Sequence, residues 1–289
     1  MEDRYHTTFE AGTTNHPHRY AVEMVGSGRY VLEVGCWNGH VTEALAGAGN
    51  RVVGVDVDAD QLAANRYIER GHHVDLDTSR LSEVESDRFD VIVLGDVLEH
   101  LRRPENVLAD LVTLLADDGR LVISVPNVSH VDVRLHLLAG RWEYQEVGLL
   151  DRTHLRWFTR ASLRELLASV GFVARRLETV VHPHGASQLA LDDDGYPDDA
   201  LRYVATDPDA TVYQFVVEAS RDADVDALAP VERHRIDFGA EAFAREQELA
   251  ALRDANTALR NRVDALERSR AVRVSRSLRG LLGRDQTEG

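Results

Sequence analysis

Residues 31–40 read VLEVGCWNGH. An apolar run carrying one acid, Glu33, drops into Gly35, and Cys36, Trp37 and Asn38 lead to a second glycine at Gly39. A strand that ends in such a turn and opens a helix is a cradle for nucleotide-like ligands, because free backbone N–H groups gather there. A dinucleotide turn carries G-x-G-x-x-G, whose middle glycine lets the backbone approach a pyrophosphate. Here the spacing is Gly35-x-x-x-Gly39, and Trp37 fills the middle position. That tryptophan argues against NAD or FAD. Glu33 argues the same way, since a carboxylate repels a pyrophosphate but suits a ligand that carries an ammonium group.

Outward from this turn, β-branched runs alternate with helical ones from about Tyr30 to Val125. YVLEV reads as a strand, HVTEALAGAG as a helix, RVVGVDV as a strand, and ADQLAANRYIERG as a helix closed by Gly71. HHVDL, FDVIVL and GRLVISV supply three more strands, with the helix ENVLADLVTLLADDG before the last. The strands are apolar on both faces, as buried parallel strands are. Strict alternation of strand and helix predicts a doubly wound α/β sheet. Residues 126–159 read as an irregular stretch rich in aromatics and histidine. The helix RASLRELLASVG and the strands FVARRLETVV and TVYQFVVEA follow. The acidic run between those strands, with Asp192, Asp193, Asp194, Asp198 and Asp199, reads as a solvated loop.

Taken in order, these stretches carry a resemblance. VLEVGCWNGH followed by VVGVDVD resembles the first two motifs of class I S-adenosylmethionine-dependent methyltransferases. HVDLD, FDVIVLGDVLEHL and GRLVISVPN continue the likeness, which spans roughly residues 18 to 218. The family pattern most often has a glycine where Trp37 stands. The resemblance implies a Rossmann-like, mostly parallel seven-stranded sheet with an antiparallel last strand, and S-adenosyl-L-methionine as cofactor. It implies that Gly35 and Gly39 let the backbone pass close to the cofactor, with Glu33, Cys36 and Val57 beside it. Asp56, 17 residues after Gly39, is then the acceptor for the ribose hydroxyls. Asp75 is the expected acceptor for the adenine amino group, with Leu76 covering the ring and Asp77 competing for the role. Asp96 lies near the methionine moiety by the family's pattern, and Tyr20 closes over that end.

Methyl transfer is an in-line displacement at a sulfonium, so alignment and exclusion of water matter most. A hydroxyl acceptor of high pKa also needs a base, worth roughly 10²–10⁴-fold. The candidates are His100 in DVLEHL, His130, His136, and His154 in LLDRTHLRWFT, which has Asp151 three residues earlier as an orienting carboxylate. His154, His100 and Asp151 form the expected catalytic set. DRTHLRWFT also resembles a segment recurring in a methyltransferase subgroup that includes enzymes of sugar and surface-polysaccharide modification. Trp142, Tyr144, Trp157 and Phe158 would form an aromatic wall for a sugar or a flat metabolite. The expected acceptor is a hydroxyl of a sugar or glycan end. Alternatives are O- or N-methylation of a small secondary metabolite or quinone-like ring, and a non-catalytic scaffold that acts through its C-terminal helix. Asp96 or Asp151 could join a magnesium site, but no spacing picks out a ligand set, and no metal is assigned.

The remaining chain divides by composition. A methyltransferase domain over 1–219 is followed by a charged linker over 220–238, a heptad-like helix over 239–268 and a basic tail over 269–289. Leu249, Asn256 and Val263 lie seven apart, as do Leu252, Leu259 and Leu266, which is the seam of a coiled coil and predicts a homo-oligomer. The tail carries Arg268, Arg270, Arg273, Arg276, Arg279 and Arg284 among apolar residues, a pattern suited to peripheral contact with an anionic membrane surface. The net charge of -16 disfavours a nucleic-acid-binding surface. No stretch approaches the roughly 20 apolar residues of a membrane span, and MEDRYHTTFE lacks a signal-peptide pattern. The single cysteine fits a reducing compartment. The expected location is the cytoplasm.

Overall fold

Strand β1, Tyr30–Val34, sits in the middle of a seven-stranded sheet and pairs in parallel with β2, Arg51–Asp56, and β4, Phe89–Gly95. In the computed structural model, which describes residues 14–189, 196, 198–221, 257–260 and 262, the strand order is β3-β2-β1-β4-β5-β7-β6. Strand β3 is Arg70–His73, β5 is Leu115–Pro126, β6 is Phe172–Val181 and β7 is Val212–Arg221. Strand β7 runs antiparallel to both β5 and β6, and the other described pairings are parallel. This is the sheet the sequence predicts.

Period-two alternation divides the apolar side chains of β1 between two layers. Val31 faces Ala21, Met24 and Val25 of helix α1, Pro17–Val25, and Leu45 of helix α2, His40–Gly47. Leu32 and Val34 face the other way, into the larger core that also holds Leu108 of helix α4, Pro104–Leu111, and Leu163 and Leu167 of helix α6, Arg160–Ser169. Each fully buried aliphatic side chain contributes roughly 1.5–3 kcal/mol. The β1 sequence therefore locks its register, because a one-residue slip would exchange the two faces.

Three local expectations are corrected. The helix after β2, α3, covers only Ala59–Ala64 and not the whole run to Gly71. It stops because buried Asn65 leaves the helical conformation and turns its amide onto the Thr42 hydroxyl, 2.9 Å away. Gly71 is consequently a strand residue opposite Gly54, where a Cβ would stand 2.9 Å from Leu62 Cδ1. The stretch after β5 holds a helix, α5, Val131–Leu138, capped by the His130 ring, which accepts the Asp132 N–H. The acidic stretch includes helix α7, Asp198–Ala205, while Asp192, Asp193 and Asp194 lie outside the described residues.

The chain divides into two units, Met1–Arg235 and Ile236–Gly289. Strand β7 runs to Arg221, so the first two residues of the expected linker belong to the sheet. In the second unit residues 257–260 and 262 are helical and Leu259 is exposed. The rest of the heptad stretch and the basic tail lie outside the described residues. No described helix is long and apolar enough to cross a membrane.

Candidate active site

The carboxyl edges of β1, β2 and β4 form the cradle, where open parallel sheets bind their ligands. Gly35 and Gly39 take φ of 71° and 104°, and between them Trp37 takes 45°, the left-handed region that glycine normally supplies. The strained tryptophan is held by its own backbone, whose N–H donates to Asp56 Oδ2 at 2.7 Å. The other Asp56 oxygen accepts the Asp58 N–H at 2.9 Å. Asp56 thus ties the first loop to the second and stands buried at the end of β2.

Glu33 lies within the sheet and accepts the Thr42 hydroxyl at 2.6 Å, and Thr42 is in turn held by Asn65. Burial pushes the Glu33 carboxyl up to about 8, with the Thr42 bond opposing and the Asp56 charge adding. The buried Asn38 Oδ1 and His18 Nδ1 have no partner. Glu33 has no ion-pair partner among the described residues, and the loop that follows β1 carries the unpartnered Asn38 Oδ1. Cys36 contributes backbone only: its side chain is turned onto Gly54, whose added Cβ would meet the sulfur at 2.7 Å, and burial raises its thiol pKa.

After β3, Asp75 is exposed and accepts the Asp77 N–H at 3.0 Å. Asp77 is engaged by the Arg102 N–H at 2.9 Å, so of the two competing acids Asp75 has the less occupied carboxylate. Leu76 packs on the core, and Val57 stands 64% exposed beside Asp56, an apolar surface suited to a flat ring. Tyr20, on α1, packs on the core, with Asn15, Arg19, Glu23 and Glu178 as electrostatic neighbours, while His16 senses Asp96 and His18 senses His40. Burial, and then His40, lowers His18 to about 4. The two histidines flanking Pro17 were missed by sequence reasoning, although H-P-H at a helix start is a visible capping pattern.

The chemistry-bearing cluster lies past β4. Asp96 takes a φ of 55°, a strained conformation of the kind concentrated at functional sites. Its Oδ1 accepts the Ser124 hydroxyl at 3.1 Å and the Gln214 amide, and burial raises its pKa. One turn on, Glu99 is 1% exposed; its carbonyl accepts the Leu155 and Arg156 N–H groups at 2.7 and 3.0 Å. That clasp brings the 151–156 loop onto the Leu98–His100 turn that follows β4, and the His100 and His154 rings meet edge-on with centroids 4.9 Å apart. Burial, and then His100, pushes His154 down to about 4, with Asp151 opposing. Asp151 Oδ1 accepts the Thr153 N–H and hydroxyl at 2.8 and 2.7 Å, and Thr153 contacts His100 Nδ1. Asp151 thus reaches His100 through Thr153, and its charge acts on His154 as well. Ligand atoms of Glu99, His100 and His154 all lie within 4.8 Å of one another. No metal was assigned from sequence because the third member comes from a distant loop.

The expected aromatic wall divides. Trp142 and Trp157 pair edge-on at 5.5 Å, Phe158 is in the main core, and Tyr144 is exposed. His130 and His136 are buried, and His130 Nε2 meets the His182 carbonyl at 3.0 Å. Tyr213, stacked on His182, is pushed up to about 12 by burial with Asp96 adding, which brings β7 to the same site.

Comparison with known proteins gives the family. A family model described as a methyltransferase domain matches residues 16–177. A ubiquinone biosynthesis O-methyltransferase of Aeromonas salmonicida is 25% identical over 169 residues, 57% of this chain and 71% of that one. A probable S-adenosylmethionine-dependent methyltransferase of Mycolicibacterium smegmatis is 30% identical over 165 residues, 56% of this chain and 59% of that one. The chain thus spans less than two thirds of the latter relative's length. A SAM-dependent methyltransferase structure from Archaeoglobus fulgidus superposes with a TM-score of 0.50 at 18% identity, covering 70% of this chain and 89% of that one, and shares the fold. The chain belongs to the methyltransferase-domain family and is a class I S-adenosylmethionine-dependent methyltransferase.

Proposed function

We propose that the chain methylates a hydroxyl on a small quinone-like or phenolic ring. The observation that carries this reading is the His100–His154 pair beside Asp96, with the edge-on Trp142–Trp157 pair in the same loop segment. Paired indoles present flat apolar surface to a planar acceptor. The relatives named for ubiquinone biosynthesis O-methylation turn the choice from the sugar hydroxyl expected from sequence toward the ring hydroxyl weighed beside it.

When bound, S-adenosylmethionine supplies a methyl group on a sulfonium whose positive charge is lost as the new bond forms. Glu33 and Asn38 would hold its ammonium, Asp56 its ribose hydroxyls and Asp75 its adenine amino group. Between pH 5 and 9 the His154 ring is neutral, because its pKa lies near 4. Its unpaired Nδ1 keeps a lone pair available at the acceptor side. A base so weak removes the proton only from a hydroxyl acidified by another group.

Release of S-adenosylhomocysteine tests the proposal. Turnover is expected with catechols and hydroxylated benzoquinones and not with nucleotide sugars. Turnover on a nucleotide sugar with every ring hydroxyl inert would overturn it.

A further inference from the structure

From Glu99, His100 and His154 we infer a divalent transition-metal site with an open position facing the acceptor. Their ligand atoms lie within 4.8 Å of one another. Metal–ligand distances of about 2.0–2.2 Å bring donors to roughly 3–4 Å apart, so a modest rotation of half-buried His100 closes the set. Glu99 is 1% exposed, yet its Oε2 has no partner, and the equally buried Nδ1 of His154 has none. Leaving a buried carboxylate unpaired is costly, and a cation is what offsets the cost.

Three further features agree. The neighbouring arginines are committed elsewhere: Arg152 pairs with Glu146, and Arg156 Nε donates to the Arg102 carbonyl at 3.0 Å. His100 Nδ1 is held by the Thr153 carbonyl at 3.3 Å, which leaves Nε2 with its lone pair, the outer-shell arrangement that orients a ligating histidine. Asp96 and Asp151 also stand near enough to add their negative charge at Glu99, which a cation offsets.

Two imidazoles and one carboxylate suit Zn²⁺, Co²⁺, Mn²⁺ or Fe²⁺, whereas Mg²⁺ demands oxygen donors. Resting on the ring-hydroxyl reading, the open position takes the acceptor oxygen and lowers the hydroxyl pKa. The proton passes to solvent and an oxygen lone pair forms the O–C bond as the C–S bond breaks. S-adenosylhomocysteine leaves with the pair of the broken bond, and the dication is unchanged.

The test uses the full chain stripped with a chelator and titrated with Co²⁺ and Zn²⁺ by visible absorbance and calorimetry, with Mg²⁺ as comparison. One equivalent of Co²⁺ is expected to bind with visible d–d bands. Glu99→Gln and His100→Ala should each weaken it at least ~30-fold, since even outer-shell changes cost about 10–100-fold. Metal-free Glu99→Gln should melt close to metal-free wild type, because a neutral amide of the same size replaces the buried carboxyl, while the melting shift produced by Zn²⁺ disappears. His100→Ala, at a half-buried position, gives the same reading should Glu99→Gln not fold. No saturable dication binding by the wild type, or equal binding by wild type and both variants, overturns the site. Binding with every ring hydroxyl inert upholds the site and overturns only the acceptor.

Discussion

The backbone N–H of Trp37 donates to the Asp56 carboxylate across 2.7 Å. The residue that breaks the glycine pattern of a dinucleotide turn is thus the one that fastens the first loop to the second. Because the backbone makes the bond, the loop needs a residue able to hold φ of 45° there and does not need an indole. Trp37→Gly should keep cofactor affinity within about threefold. Trp37→Val, whose branched side chain resists the left-handed region, should lose about 1–2 kcal/mol, or roughly 5–30-fold. Calorimetric titration with S-adenosylmethionine checks both, and a Trp37→Gly variant as weak as Trp37→Val would mean the indole itself touches the cofactor.

Glu33 gives a pH signature. Its folded pKa of about 8 exceeds the ordinary 4.5, so between these values the folded chain holds a proton that the unfolded chain has released. The stability it contributes is fully present below pH 4.5 and declines as pH rises through about 8, at up to 1.36 kcal/mol per unit. The melting temperature of the cofactor-free protein should therefore fall across that window, and Glu33→Gln should flatten the fall. An ammonium ligand that ionises Glu33 also displaces its proton. The heat of cofactor binding at pH 7 should accordingly vary with the ionisation enthalpy of the buffer.

Sequence periodicity located β1, β2, β4 and α6 well because each buries apolar residues at its own period, as Leu163 and Leu167 do on α6. It overran α3, since helix propensity cannot foresee that Asn65 leaves the helix to bond Thr42. The cradle was legible because Glu33, Gly35, Gly39 and Asp56 lie in ordered motifs around two strands. The Glu99–His100–His154 cluster was not, because a backbone clasp from the Glu99 carbonyl to Leu155 and Arg156 brings distant segments together. His16 and His18, which the sequence reading did not single out, interact electrostatically with Asp96 and His40.

His154→Ala should lower turnover by roughly 10²-fold or more while leaving cofactor affinity unchanged, because the ring lies at the acceptor side. The pH profile adds a sign. With a pKa near 4 the wild-type ring keeps its lone pair throughout neutral pH, so no activity loss traceable to His154 should occur near pH 6.5. Stopped assays from pH 5 to 9 on wild type and variant decide this. An acid limb near 6.5 that vanishes in His154→Ala would contradict the buried, neutral ring.

Asp132 fastens the 182–189 loop that supports the acceptor side. It is fully buried and accepts from His184 Nδ1 at 2.9 Å, the Gly185 N–H at 2.9 Å and the Ser187 N–H at 3.2 Å. Burial alone would raise its pKa, but these bonds outweigh it and hold the carboxyl at about 2. A depressed carboxyl stabilises the fold above its unfolded value of 3.8, and that contribution is lost as pH falls toward 2. Asp132→Asn should therefore cost on the order of 1–2 kcal/mol at pH 7, with the gap to wild type narrowing below pH 4. The same loop carries Gln188, which accepts the Tyr213 hydroxyl at 2.7 Å, and Tyr213 senses Asp96. Loosening the loop should raise the acceptor KM several-fold and leave the cofactor Kd unchanged, because the cradle is built on β1 and β2. Denaturant melts at pH 7 and pH 3, together with acceptor and cofactor titrations, separate a latch on the acceptor wall from a general loss of fold.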